Sequence, residues 1–304
     1  MKVGYFADGP WSHEAIELLV DKVDLVFIVP RYDTQDPVLK EWAEKLGIPY
    51  YPVANVNTKE FIEWLNSFDA DLFISMSFNQ ILKKEILKAS KKGFINCHAG
   101  ALPFYRGRNP LNWVLINGEK EFGITVHYID EGIDTGDIIL QKKYEIKNHD
   151  NYSTLLDKAI KECALLLAES VELIEKNSDK VIIQSSIHPV GTYYGRRIIG
   201  DELIDFSWSA KRLFNFVRAI TLPGPGARCN SPQGEIAVLE CELIEGAPTY
   251  IATEGEVVGI KDSGVVVKVG DSTILITKYA EINNEELKIV KKPSFKIGTR
   301  LRGK

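Results

Sequence analysis

The first hundred residues alternate short, almost unbroken apolar runs with amphipathic stretches of helical period, and this rhythm restricts the fold more than any other feature of the chain. Runs that are apolar throughout suit strands buried on both faces, and the amphipathic stretches between them supply covering helices. The pattern is that of a largely parallel sheet with helices on either side. Lys2–Ala7 and Val23–Val29 read as the first two strands, with shorter ones at Tyr50–Val53, Leu72–Ser75 and Gly93–Cys97. Helices are predicted from a Ser12 cap to Leu19, over Pro37–Leu46 with Gly47 as its stop, and over Lys59–Asn66. Then the period changes. Gly123–Ile129 alternates in steps of two, Asp137–Tyr144 reads as its antiparallel partner, and the turn-forming run Asp130–Gly136 lies between them. A long amphipathic helix is predicted over Tyr152–Lys176, then an irregular stretch with Pro189, Gly191, Gly195 and Gly200, then a helix over Ala210–Arg218. Short strands at Ile236–Leu239, Val257–Ile260, Val265–Val269 and Thr273–Thr277, split by glycine turns, have the pattern of a compact barrel.

The length of 304 residues suits two domains, and no segment reaches the roughly 18–20 consecutive apolar residues of a membrane span. The opening run meets an acid at Asp8, which is unlike a signal or transit peptide, so a cytoplasmic location with no membrane partner is expected. Cys97, Cys163, Cys229 and Cys241 lack the paired short spacing of a zinc or dithiol site, and no metal is expected. Net charge is −5, whereas a protein gripping nucleic acid needs a basic surface to displace counterions. The Gly4 and Gly9 pair is not a dinucleotide fingerprint.

Reactive side chains concentrate between Phe94 and Arg108. Asn96 and His98, two apart in a strand, share a face at the strand's carboxyl end, where open parallel sheets place ligands. Asp134 follows in the glycine-flanked loop. An amide, an imidazole and a carboxylate suit acyl transfer to an amine. The imidazole takes the proton, the carboxylate orients it, and the amide N–H supports the oxyanion, a contribution of roughly 3–4 kcal/mol. A histidine bonding backbone and an aspartate shaping a turn would leave the same trace in the residue types alone.

The segments Asn96–His98, Leu102–Gly107 and Asp130–Asp137 occur in the order and spacing found in the 10-formyltetrahydrofolate-dependent formyltransferases, which this chain resembles. The likeness extends to Ser75–Leu82 and to Asp205–Trp208 and Arg218–Gly226, so it covers nearly the whole chain. It implies a Rossmann-like α/β catalytic domain with a mixed, mainly parallel sheet (1–185), a linker (186–204) and a small OB-like β-barrel domain (205–304). It also implies Asn96, His98 and Asp134 as catalytic residues and 10-formyltetrahydrofolate as donor. The reduced folate would be held by Met76, Phe78, Asn79, Ile81, Leu82 and Asp137.

The tRNA-formylating branch of that family carries a Gly/Arg/Lys-rich insertion after the second strand. Here the stretch Val29–Pro37 is short and almost neutral, which argues against tRNA as acceptor. The chain is more similar to the sugar N-formyltransferases, which implies a nucleotide-linked amino sugar as substrate, for example a UDP- or dTDP-4-amino-4,6-dideoxy sugar of a surface glycan. Trp11, Arg106, Arg108, Tyr193, Tyr194, Arg196 and Arg197 are the expected substrate contacts, since guanidinium forks suit a pyrophosphate and aromatic faces suit a base. The resemblance also allows a homodimer. Methionyl-tRNA formylation and a non-catalytic folate- or nucleotide-binding homologue are the alternative readings.

Overall fold

A computed structural model of the chain describes residues 1–283 and 286–304. It divides into two units, each treated by itself. Met1–Pro110, Phe122–Tyr144 and Asp157–Tyr194 make the first, and Leu111–Glu121, Glu145–Leu156 and Gly195–Lys304 the second. The units therefore interleave along the sequence.

The first unit begins β1 (Lys2–Ala7), α1 (Gly9–Leu19), β2 (Asp24–Pro30), α2 (Pro37–Leu46), α3 (Lys59–Asn66), β3 (Leu72–Met76), α4 (Lys84–Leu87), β4 (Phe94–His98) and β5 (Arg106–Gly107). After α5 (Pro110–Ile116), most of which belongs to the second unit, come β6 (Glu121–Tyr128), β7 (Ile138–Glu145), α6 (Tyr152–Glu175), α7 (Gln184–Ile187) and β8 (Tyr193–Tyr194). The main sheet runs β2-β1-β3-β4-β6-β7, parallel from β2 to β4 and antiparallel from β4 to β6. This is the mixed, mainly parallel α/β sheet that the resemblance implies, and its parallel part is what the alternating rhythm predicts. β1, β3 and β4 are buried along almost their whole length, which is why they read as near-continuous apolar runs. Phe6 meets Phe27, Phe61, Phe73, Phe78 and Phe94 at centroid distances of 5.2–6.3 Å, mostly edge to face. Such pairs each add about 0.5–1.5 kcal/mol beyond the area they bury. Gly4 makes room for them, because a Cβ there would lie 2.1 Å from Phe27 Cζ.

Two local expectations are corrected. Ser12 does not cap α1 but lies buried inside it, its hydroxyl donating to Gly9 O at 2.7 Å. The helix starts earlier because Pro10, lacking an N–H, costs nothing in a first turn whose donors have no helical partner. Tyr50–Val53 is not a strand. Only Tyr50 bridges Ile28, and Pro49 and Pro52 interrupt the N–H ladder on either side.

In the second unit α8 (Ala210–Ile220) buries Leu213, Phe216, Val217 and Ile220, the i, i+3, i+4, i+7 spacing of one helical face, and Ser209 caps it. The strands β9 (Ala227–Ser231), β10 (Gly234–Leu243), β11 (Val257–Lys261), β12 (Gly264–Lys268), β13 (Thr273–Asn283) and β14 (Glu286–Val290) form an antiparallel sheet. Its order is β11-β12-β13-β10-β9, with β14 also on β13. Arg302 bridges Asn230 of β9 and Arg300 bridges Glu256 beside β11, so the C-terminal segment ties the two end strands together. Among the described residues, no helix is long and apolar enough to cross a membrane.

Candidate active site

The register of β4 against β6 builds the site. Asn96 stands opposite His127, and His98 stands opposite Thr125. Alternation puts Asn96, His98 and His127 on one face of the sheet and turns Cys97 to the other, where its thiol lies 3.6 Å from Cys163 O in α6. The hairpin between β6 and β7 then brings Asp134 over this row. Its carboxylate oxygens lie 3.7 Å from His98 Nδ1 and 3.6 Å from His127 Nε2, and the Gly107 N–H donates to it at 2.8 Å.

Partners fix the tautomers, since a carbonyl only accepts. His98 Nε2 lies 2.7 Å from Tyr105 O and therefore carries a hydrogen, which leaves Nδ1, facing Asp134, as the nitrogen that gains a proton. His127 Nδ1 lies 2.7 Å from Tyr128 O and carries its hydrogen there, so in the neutral ring Nε2 accepts from Asn96 Nδ2 at 3.3 Å. This bond orients the Asn96 amide and leaves its second N–H available.

Burial disfavours the Asp134 anion, but once the two rings are protonated the charges of His98 and His127, together with the Gly107 N–H, outweigh it. The carboxyl is held well below the usual carboxylate range. Asp134 has φ +54°, a left-handed conformation that costs a non-glycine residue about 1–3 kcal/mol unless its surroundings hold it. Close packing of the loop contributes, because a Cβ at Gly136 would stand 1.9 Å from Tyr128 O. Gln184 holds it further, donating to Asp134 O at 2.8 Å and Gly136 O at 2.7 Å.

The residues expected to hold folate border β3. Met76 and Leu82 are buried, Phe78 packs on the aromatic cluster, and Asn79 is exposed with its amide 3.4 Å from Asp33. Ile81 is 70% exposed. Arg31, at the end of β2, secures this loop by donating from Nε to Ser77 O at 2.8 Å and pairs with Asp8 at 3.5 Å. Asp137 is half-buried, with its carbonyl bonded to Tyr128 N.

The expected substrate contacts scatter. Trp11 is half-buried in α1 and Arg108 is exposed after β5. Arg106 turns inward: Nε and Nη2 donate to Gln184 Oε1 and Nη1 donates to Val190 O, so the fork expected for a pyrophosphate is engaged within the unit. β5 pairs with β8, which stacks Tyr194 on Tyr105 at 5.1 Å and leaves Tyr193 57% exposed. Arg196 and Arg197 belong to the second unit, where Arg196 is exposed and Arg197 is half-buried, bonded to Asp201 O and lying over Phe216.

Sequence reasoning missed His127 and Gln184. For His127 a signal existed, a lone imidazole on the same alternating face as Thr125 within the apolar run Gly123–Ile129.

Comparison with known proteins agrees with this architecture. Residues 15–171 match the family described as Formyl transferase, and residues 200–295 match Formyl transferase, C-terminal domain. The chain is 33% identical over 267 residues to the methionyl-tRNA formyltransferase of Clostridioides difficile, spanning 87% of this chain and 82% of the relative. It is 32% identical over 313 residues to that of Fusobacterium nucleatum, spanning 99% and 100%. The crystal structure of the N-formyltransferase from Helicobacter canadensis, in complex with folinic acid and dTDP-3-aminofucose, superposes with a TM-score of 0.66 at 20% identity. The match covers 91% of this chain and 99% of that one, and is a likeness of fold. With its N-terminal match spanning more than half of its length, the chain belongs to the formyl transferase family, the folate-dependent one-carbon transferases.

Proposed function

We propose that this enzyme transfers the formyl group of 10-formyltetrahydrofolate to the amino group of a nucleotide-linked amino sugar. The amine attacks the formyl carbon, the bond from that carbon to N10 breaks, and its electrons return to N10, which ends protonated as tetrahydrofolate. His98 takes the amine's proton at Nδ1, where Asp134 stabilises the imidazolium. Asn96, oriented by His127, offers its remaining N–H to the oxyanion of the tetrahedral intermediate. The backbone of Ser77–Leu82 and the exposed Ile81 side chain would hold the folate, since Phe78 packs into the core and Leu82 is buried there.

The observation that carries the acceptor assignment is the state of the β2–α2 segment. Its one basic residue, Arg31, is spent on Ser77 O and Asp8, so the segment presents no cationic face to RNA. The second reading, methionyl-tRNA formylation, draws on the 32–33% identity with enzymes of that name.

Incubation with 10-formyltetrahydrofolate and a panel of UDP- and dTDP-linked amino sugars, with charged initiator tRNA alongside, separates the two. Transfer to a sugar is expected, and formylation of tRNA alone would sink the sugar reading. His98→Ala is expected to abolish nearly all turnover while folate binding persists; full activity in that variant would remove His98 from the mechanism.

A further inference from the structure

Arg106 and Gln184 stand behind the reacting groups, and their bonds run in one direction, toward Asp134. Gln184 is 2% exposed. Its Nε2 donates to the carbonyls of Asp134 and Gly136, and its Oε1 accepts from Arg106 Nε at 3.0 Å and Nη2 at 2.7 Å. Only this orientation of the amide works. Guanidinium nitrogens only donate and carbonyls only accept, so a flipped amide would set donor against donor and acceptor against acceptor. The next residue after Arg106, Gly107, donates its N–H to the Asp134 carboxylate. Asp134 is thus gripped at both ends, its main chain by Gln184 and its carboxylate from residue 107.

We propose that Gln184, oriented by Arg106, is a positioning residue that holds the Asp134 carboxylate between His98 and His127, so that formyl transfer depends on an amide acting only through Asp134. The inference rests on the Asn96–His98–Asp134 reading of the site. It also gives Arg106 a role other than gripping the substrate.

Gln184→Glu preserves size and the acceptor for Arg106 but removes both donors and sets a carboxylate oxygen against two carbonyls. The expected result is a fall in kcat of about 10–100-fold, the scale of a displacement near 1 Å. KM for 10-formyltetrahydrofolate should stay within about threefold, because the folate contacts are untouched. The acid limb of the pH–rate profile should move to lower pH, since the base that His98 supplies loses the carboxylate that stabilises its protonated form. A role confined to stability would not move that limb. Arg106→Ala should lose activity with the same displacement and, combined with Gln184→Glu, add little to the single change. It supplies both readouts if Gln184→Glu does not fold. Wild-type kcat with an unmoved acid limb, or losses that multiply in the double variant, overturns the proposal. His98→Ala serves as the reference. Inactivity there beside full activity in Gln184→Glu overturns this inference alone, whereas full activity in His98→Ala overturns the site reading beneath it.

Discussion

Asp134 is ionised where burial works against ionisation, and the groups that outweigh burial are identifiable: His98, His127 and the Gly107 N–H. A carboxyl depressed in the folded state stabilises the fold fully above its unfolded pKa of about 4, and that contribution is lost as pH falls from there through the depressed folded value. Asp134→Asn removes the ionisation. The stability gap between wild type and Asp134→Asn is therefore expected to narrow as pH drops below about 4. Urea titrations between neutral pH and pH 3 measure it; a gap independent of pH would mean that the carboxylate's charge does not stabilise this loop. Sequence spacing alone places Asp134 in a turn and no further. Its relation to His98 and His127 depends on the β4–β6 register and on the left-handed backbone at residue 134, and neither leaves a mark in a linear reading.

The helix termini show a carboxylate working for two elements. Asp36 caps α2, accepting from Val38 N and Leu39 N at 2.9 and 3.1 Å. Its other oxygen accepts from Gly9 N at 2.9 Å, the first residue of α1, and lies 2.8 Å from His13 Nε2. Thr58, by contrast, caps only α3. Thr58→Ala should cost about 1 kcal/mol, and Asp36→Ala roughly 2–4 kcal/mol, since it strips both helices and leaves buried donors without a partner. Equal losses in equilibrium unfolding would contradict the shared cap. This scale also shows what the sequence makes legible. Buried parallel strands declare themselves because both faces are apolar, so β1–β4 fall close to their predicted limits. A cap reaching from residue 36 to residue 9 is a tertiary contact, and without it Ser12 looks like the better start for α1. The pair β5 and β8, two residues each, is too short to carry any period, yet it is what sets Arg106 and Gly107 beside Asp134.

For the molecule as a whole, charge discriminates between the two acceptors. The chain carries −5 overall, and the segment after β2 spends Arg31 internally. An acceptor held through a pyrophosphate offers two phosphates, whereas a tRNA held well enough for turnover presents many. Each phosphate neutralised releases counterions, steepening the fall of log affinity with log salt by about 0.7–0.9. With the amino-sugar acceptor, kcat/KM is expected to fall by less than about tenfold between 50 and 200 mM salt, the change that two phosphate contacts produce. An enzyme tracking RNA through 6–10 phosphates would lose on the order of 10³–10⁵ over the same range. The measurement requires only that subsaturating acceptor be assayed at several salt concentrations with folate saturating. A shallow slope agrees with a small dianionic handle, while a steep one would place the acceptor among nucleic acids and reverse the assignment made from the neutral β2–α2 segment.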